Sequence, residues 1–313
     1  MTLPDMRFGP TELRLRPLGI GTNSWGARRG EGEDATRPRA AFEAAMSNGV
    51  RLIDTAEVYN RGRSERVIGR ILAGSHEPAL VATKFAPLPY RLTSSSLEGA
   101  LDASLRRLQR ETVDLYQIHF PFTLLRIRSL MDRLADAVAA GKVRYVGVSN
   151  YSAAQMRTAH AALAERGVPL VSNQVNYSLC HRAPEENGVL ETCHELDVTL
   201  IAYFPLARGV LTGKHQGGAP APRGLGRFSA RLRKPEQLQP HLQPLLRALD
   251  EIGQTHGRTP GQVALNWLAR QERVLPIPGA RHARQARENA GAIDFAISDD
   301  EAARLADLSA ELP

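Results

Sequence analysis

The chain has 313 residues, 42% of them hydrophobic and 23% charged, which supplies a sizeable core and excludes a disordered or low-complexity protein. Its net charge of +7 comes from scattered arginines rather than dense basic runs, so it does not mark a nucleic-acid tail. Two cysteines, Cys180 and Cys193, exclude a disulfide scaffold, Met1–Gly9 lacks a signal-peptide core and no apolar run is long enough for a bilayer. A soluble cytoplasmic protein is therefore expected.

Along the chain, short β-branched apolar runs alternate with helical patterns. A strand over Arg16–Gly21 leads to a helix over Pro38–Asn48, which Gly49 ends. Arg51–Thr55 is the second strand and Ser64–Leu72 the second helix. Ala79–Lys84 and Ser94–Leu108 make the third unit; Val113–His119 and Leu124–Ala140 make the fourth. Arg144–Asn150 precedes a helix over Ser152–Glu165, and Leu170–Gln174 precedes one over Pro184–Leu196. Thr199–Tyr203 is the seventh strand. Helices over Glu236–Gln254 and Pro260–Gln271 come next, then an eighth strand over Val274–Gly279 and a closing helix over Glu301–Leu308. Glycine just past a helix end, and Ser or Pro at its start, set these boundaries.

Runs such as Leu80-Val81-Ala82 are apolar on both faces, as parallel strands buried between layers must be. Eight such strands with crossover helices predict an α/β fold of one domain over residues 1–313, a (β/α)8 TIM barrel. A doubly wound nucleotide-binding fold is the competing reading, but its fingerprint should follow the first strand, where Gly19-Ile20-Gly21 has Ser24 in place of the third glycine. Gly209 to Lys214 has the wrong spacing for a phosphate-binding P-loop. Two long loops, at about 22–36 and 214–235, fall on the barrel's catalytic face and are expected to act as lids.

Active sites of such barrels form at the C-terminal strand ends, and here six successive ends are polar. They carry Asp54, Lys84, His119, Ser149-Asn150, Asn173-Gln174 and Tyr203. Alone, Asp54 and Lys84 read as a structural ion pair, His119 as a satisfied core histidine and Tyr59 as a packing aromatic. Together the four make an acid-catalysis set. Reducing a carbonyl requires a proton at oxygen as hydride reaches carbon, and a phenol is a poor donor unless its neighbours shift it. A lysine beside Tyr59 is expected to lower its pKa, a carboxylate to hold that lysine, and a histidine to direct the carbonyl oxygen or join a proton relay. Trp25 and Phe120 are candidate aromatic walls of the substrate pocket, with Tyr59 and His119 at its base. Cys180-His181 and Cys193-His194 form a repeat, but neighbouring side chains diverge, so no metal site is expected.

At these residues the chain resembles the aldo-keto reductase superfamily. Asp54-Thr55-Ala56 with Tyr59, Thr83-Lys84 and Asp114 to His119 are similar to its tetrad motifs. Gly147 to Asn150, Ser172 to Gln174, and Ile277 to Arg281 followed by Arg287 to Asn289 resemble its cofactor motifs, over roughly Leu13 to Leu308. Asn173 to Ser178 and Leu211 to Lys214 match a bacterial and plant-plastid branch most closely. The resemblance implies NADP(H) as cofactor, a small carbonyl substrate, Tyr59 as general acid, Lys84 and Asp54 as its tuning pair, and His119 as the orienting group. It also implies that Ser149, Asn150 and Gln174 hold the nicotinamide and that Tyr203 stacks on it. Phe204, Pro205, Leu206, Arg208, Gly209 and Lys214 would line the pyrophosphate, and Gly21 and Thr22 the ribose. Gly279, Arg281, Gln285, Glu288 and Asn289 would take the adenosine end. Where some members carry a Lys-Ser pair for the 2′-phosphate, this chain has Gly279-Ala280 and offers Arg281, expected in the first turn of a helix that opens there. It ends soon after the last helix, so the long C-terminal loop of some relatives, and their steroid and sugar preferences, do not carry over. Cation-channel β subunits share fold and tetrad, and imply a redox-sensing partner in place of an enzyme; the rate of turnover separates the two readings.

Overall fold

Backbone hydrogen bonding and apolar burial together close the parallel strands into a barrel. The computed structural model describes residues 2–27, 35–88, 90–91, 93–121, 125–213 and 235–312, with side chains from 241 onward in the last span. Among them, eight parallel strands pair in chain order: β3 (Gly19–Gly21), β4 (Leu52–Asp54), β5 (Leu80–Phe85), β6 (Val113–Ile118), β7 (Val143–Ser149), β8 (Leu170–Asn176), β9 (Thr199–Tyr203) and β10 (Val274–Pro276). The expected eighth strand stops at Pro276, but the seam still closes: Gly21 bridges Gly279 and donates its N–H to Pro278 O at 3.0 Å. Close approach at this seam needs glycine, because a methyl group on Gly19 would lie 2.8 Å from Ile277 Cγ2.

The first strand was expected from Arg16. Instead Arg14–Leu15 (β2) pairs antiparallel with Met6–Arg7 (β1), and this hairpin stoppers the N-terminal end of the barrel. Phe8 and Leu15 pack there against Leu52, Ala82, Leu115, Val171, Ile201, Leu275 and Ile277, the apolar filling of the lumen. Strands of two residues leave no alternation to read, so the sequence carries little signal for them.

Helices cover the outside: α1 (Thr36–Ser47), α2 (Arg63–Ala73), α3 (Ser96–Leu108), α4 (Ile127–Ala139), α5 (Ala153–Ala164), α6 (Ala183–Glu186), α7 (Val189–Glu195), α8 (Pro235–His256), α9 (Pro260–Ala269), α10 (Ala283–Ala290) and α11 (Asp299–Ala310). Three of them open with reciprocal capping boxes, Ser152 with Gln155, Thr259 with Gln262 and Ser298 with Glu301. The helix expected over Pro184–Leu196 is two helices. Gly188, at φ 76°, breaks it, and Asn187 Oδ1 accepts the N–H of Val189 to start the second. The lid expected at about 22–36 is described to residue 27 and from 35; that at 214–235 lies almost wholly outside the described residues, as do Lys214 and Leu124.

Candidate active site

Strand β4 delivers Asp54 and β5 delivers Lys84 into the lumen, where both are buried, the lysine completely. Lys84 Nζ donates to Asp54 Oδ1 at 2.7 Å, to Asp54 Oδ2 at 2.8 Å and to the Thr55 carbonyl at 2.7 Å, so all three ammonium hydrogens have acceptors. Asp54 Oδ1 also accepts from Gln174 Nε2 at 2.7 Å. Burial lowers the pKa of Lys84 and outweighs the Asp54 charge and hydrogen bond that raise it. Behind the strand, Thr83 faces the other way and donates to the fully buried Glu65, which also accepts from Arg107 Nε at 2.5 Å. Successive residues of β5 thus serve the lumen and the helix layer in turn.

The ring of Tyr59 stands above this pair, with Lys84 Nζ 5.2 Å from its centroid. Its pKa lies well above the usual 10, through burial first, then the charge of Asp54 and then Tyr203. This reverses the expected lowering by lysine. In the resting site burial and the Asp54 carboxylate decide the direction. His119, at the end of β6, meets Tyr59 edge-on, with centroids 5.9 Å apart and planes at 79°. Its pKa falls to about 3, through burial and then Lys84. The imidazole is therefore neutral, which suits a hydrogen-bond donor and excludes a store of protons at neutral pH. Its Nδ1 is buried with no hydrogen-bond partner among the described residues. Phe120 lies against it at 4.6 Å and is half-buried, in keeping with a wall of the mouth.

The backbone at this mouth is strained. Asn60 (φ 51°), Arg61 (φ 58°), Asn150 (φ 60°), Phe204 (φ 53°), Ala207 (φ 46°) and Arg208 (φ 58°) all have left-handed conformations without being glycine. Each costs roughly 1–2 kcal/mol, and such residues gather where a side chain must be aimed.

The residues expected around the nicotinamide converge. Ser149 Oγ donates to Gln174 O at 2.7 Å; Asn150 Nδ2 donates to His119 O and Ser149 Oγ, each at 3.0 Å; Tyr203 donates its hydroxyl hydrogen to Asn150 Oδ1 at 2.9 Å. Asn173 does not join them. It faces outward, and its amide bonds Tyr151 O and N beside α5, since neighbours on a strand point to opposite faces. Past β9, a turn over Ala207–Thr212 has Arg208 and Gly209 in left-handed conformations, with the Arg208 guanidinium 4.5 Å from the Phe204 ring. Pro205 is buried and Leu206 half-buried there.

Three expectations at the outer edge change. Trp25 is in the hydrophobic core, only 2% exposed, and donates its indole N–H to Ala280 O at 2.7 Å, so it packs the first loop instead of lining the mouth. Thr22 is fully buried and bonds Asp54 O and Ser64 Oγ, while Gly21 beside it is only half-buried. The last helix to meet the mouth opens at Ala283, not Gly279. His282 caps it, accepting from Gln285 N, which leaves Arg281 one residue ahead of the cap. Arg281 is exposed, its own N–H held by Gln285 Oε1 at 2.8 Å, and Asn289 Nδ2 reaches Gly279 O at 3.3 Å. Gln285 and Asn289 therefore shape the loop that presents Arg281; Glu288 gives its carbonyl to Gln262. Glu57 and Asn60, which flank Tyr59, were not anticipated, although Asn60-Arg61-Gly62 is itself a turn signal. Among the described residues no three His, Cys, Asp or Glu side chains converge on a point, and no helix is long and apolar enough to cross a membrane.

Comparison with known proteins meets this geometry. The chloroplastic pyridoxal reductase of Arabidopsis thaliana is 38% identical over 98% of this chain and 86% of its own length. The L-glyceraldehyde 3-phosphate reductase of Escherichia coli O157:H7 is 32% identical, over 95% and 90%. An aldo-keto reductase of Klebsiella pneumoniae, solved in complex with NADPH, superposes with a TM-score of 0.80 at 28% identity, covering 100% of this chain and 97% of that one. With the profile of the aldo/keto reductase family matching residues 17–310, an eight-stranded barrel with a tyrosine set over a buried lysine–aspartate pair belongs to that family.

Proposed function

We propose that the protein reduces a small aldehyde or ketone to its alcohol with NADPH, Tyr59 giving the proton, Lys84 and Asp54 supporting it from below and His119 directing the oxygen. The observation that carries this reading is the stack of Tyr59 over a fully saturated Lys84, with a neutral imidazole at its edge. Bound NADPH supplies the hydride. The residues present fit it: Arg281 is exposed, carries no ion pair among the described residues, and stands on a loop built by Gln285 and Asn289, which suits a 2′-phosphate. Paired left-handed residues at Arg208-Gly209 form the kind of turn whose amides gather around an anion. Ser149, Asn150 and Gln174 supply amide and hydroxyl groups for the nicotinamide, and Tyr203 a ring pinned by Asn150.

With the carbonyl oxygen between Tyr59 and His119, the imidazole N–H orients it and the phenol releases its proton as negative charge grows there. A tyrosine whose pKa is raised keeps that proton until the oxygen is basic enough to take it. The phenolate left behind lies near the Lys84 ammonium, which limits its cost. The two reductases named above act on pyridoxal and on L-glyceraldehyde 3-phosphate, and both aldehydes head the substrate series to test. NADPH oxidation by the purified protein, with Tyr59→Phe beside it, is the experiment. Turnover at an ordinary enzymatic rate that falls roughly a hundredfold or more in Tyr59→Phe, with NADPH binding kept, supports the reading. Near wild-type turnover in Tyr59→Phe refutes the acid, and slow NADPH oxidation with every carbonyl offered favours a redox-sensing subunit.

A further inference from the structure

Tyr59 sits on a segment that both neighbouring loops grip. On one side, Glu57 Oε1 accepts from Ala86 N at 2.7 Å and from Arg91 Nη1 at 2.5 Å, and Oε2 accepts from Arg91 Nη2 at 2.9 Å, which ties the segment to the loop after β5. On the other, Asn60 Nδ2 donates to Asn23 O and to Trp25 O, both at 2.9 Å, which ties it to the loop after β3. That second anchor is firm, because Trp25 is itself buried and bonded through its indole to Ala280 O.

At the second grip the chain makes a left-handed turn of three residues: Asn60 (φ 51°, ψ 37°), Arg61 (φ 58°, ψ 45°) and Gly62 (φ 79°, ψ 1°), and α2 begins at once. Only the last is glycine. A run of left-handed residues is disfavoured and holds only if its surroundings over-determine it. Among the described residues the Asn60 amide is the one side-chain group of this turn hydrogen-bonded across to another loop, and both its hydrogens are used there. By contrast, the hydroxyl of Tyr59 has no hydrogen-bond partner among the described residues, so contacts at its own tip do not fix its direction.

We propose that Asn60 is a positioning residue for Tyr59: through Asn23 and Trp25 its amide sets the left-handed turn that aims the phenol over Lys84 and against His119. This rests on the reading of Tyr59 as the acid. Asparagine tolerates left-handed backbone, so a bland alternative is that position 60 merely forms the turn. Glycine forms that turn at least as well but cannot reach the two carbonyls, which makes Asn60→Gly the deciding variant.

The experiment measures kcat, KM, NADPH affinity and the solvent deuterium isotope effect on kcat for wild type, Asn60→Gly, Asn60→Asp and Tyr59→Phe. If the amide positions the acid, Asn60→Gly loses roughly tenfold in kcat while NADPH binds as before, and the isotope effect rises as proton transfer becomes limiting. Asn60→Asp suits the turn but turns acceptors toward the two carbonyls, so it loses at least as much; it also decides the matter should the glycine variant fail to fold. Wild-type kcat and isotope effect in Asn60→Gly, or in Asn60→Asp where that variant decides, overturn the proposal, as does a loss confined to NADPH affinity. Tyr59→Phe keeps the two ideas apart. Full activity there removes the acid assignment itself, whereas an inactive Tyr59→Phe beside a normal Asn60→Gly removes only the role of Asn60.

Discussion

Replacing Lys84 by methionine tests the centre of the site through stability as well as rate. Methionine roughly fills the space but removes three hydrogen bonds and the counter-charge of Asp54. Asp54, 2% exposed, keeps one donor, Gln174 Nε2, and cannot recover the rest from water. Breaking a buried pair from one side costs about 3–5 kcal/mol, and the Gln174 bond places the expected loss toward the lower end. Equilibrium denaturation should show a lower midpoint with an unchanged slope. Adding Asp54→Asn should restore more than half of the lost stability, since a neutral amide at position 54 needs no counter-charge, yet leave aldehyde reduction abolished. If Lys84→Met is as stable as wild type, or if the double variant is worse by the sum of the two singles, the pair is not the coupled buried unit described.

Arg281→Ala should weaken NADPH binding about ten- to a hundredfold and leave NADH binding unchanged, as titration of intrinsic tryptophan fluorescence would show; equal weakening of both would take Arg281 out of the 2′-phosphate site. His119 is held at about 3 where an ordinary imidazole titrates near 6.5, so the unfolded chain binds its proton first as the pH drops. Its contribution to stability is therefore complete above 6.5 and is lost as pH falls toward 3, and kcat/KM should show no acid limb near 6.5. Such a limb, abolished in His119→Gln, would contradict a neutral imidazole.

Strand ends were legible because two constraints coincide there: apolar burial on both faces up to the last residue, then a polar group facing the barrel mouth. This placed Asp54, Lys84, His119 and Gln174 correctly, and misplaced Asn173, whose neighbour Ser172 also turns toward the lumen at a register shift after Val146. Local punctuation is readable as well. Asn187-Gly188 announces the break between α6 and α7, and Asn60-Arg61-Gly62 announces the turn after the tyrosine. Trp25 could not be placed, since a buried indole and a pocket wall have the same sequence signature until its N–H partner, Ala280 O, is known. Least legible was the ionisation of Tyr59. A lysine nearby predicts a lower pKa only where burial and other charges do not outweigh it, and the burial of Tyr59 beside Asp54 is a property of the fold.

Lys84 also acts on the histidine, as the second cause, after burial, of the low pKa of His119. With the imidazole unable to hold a second proton near neutrality, the proposed reaction draws its proton from Tyr59. A cationic His119 would compete with it as an acid and would impose a dependence on pH in the physiological range. Burial, which makes tyrosine a reluctant acid in the resting site, works the other way once charge moves. A phenolate forming on a ring whose centroid lies 5.2 Å from Lys84 Nζ is attracted to that ammonium more strongly in these buried surroundings than it would be in bulk water. Part of that attraction is offset by Asp54, whose charge raises the same pKa. In the proposed reaction that attraction is felt only as the carbonyl oxygen takes the proton of Tyr59, the kind of differential that speeds a reaction.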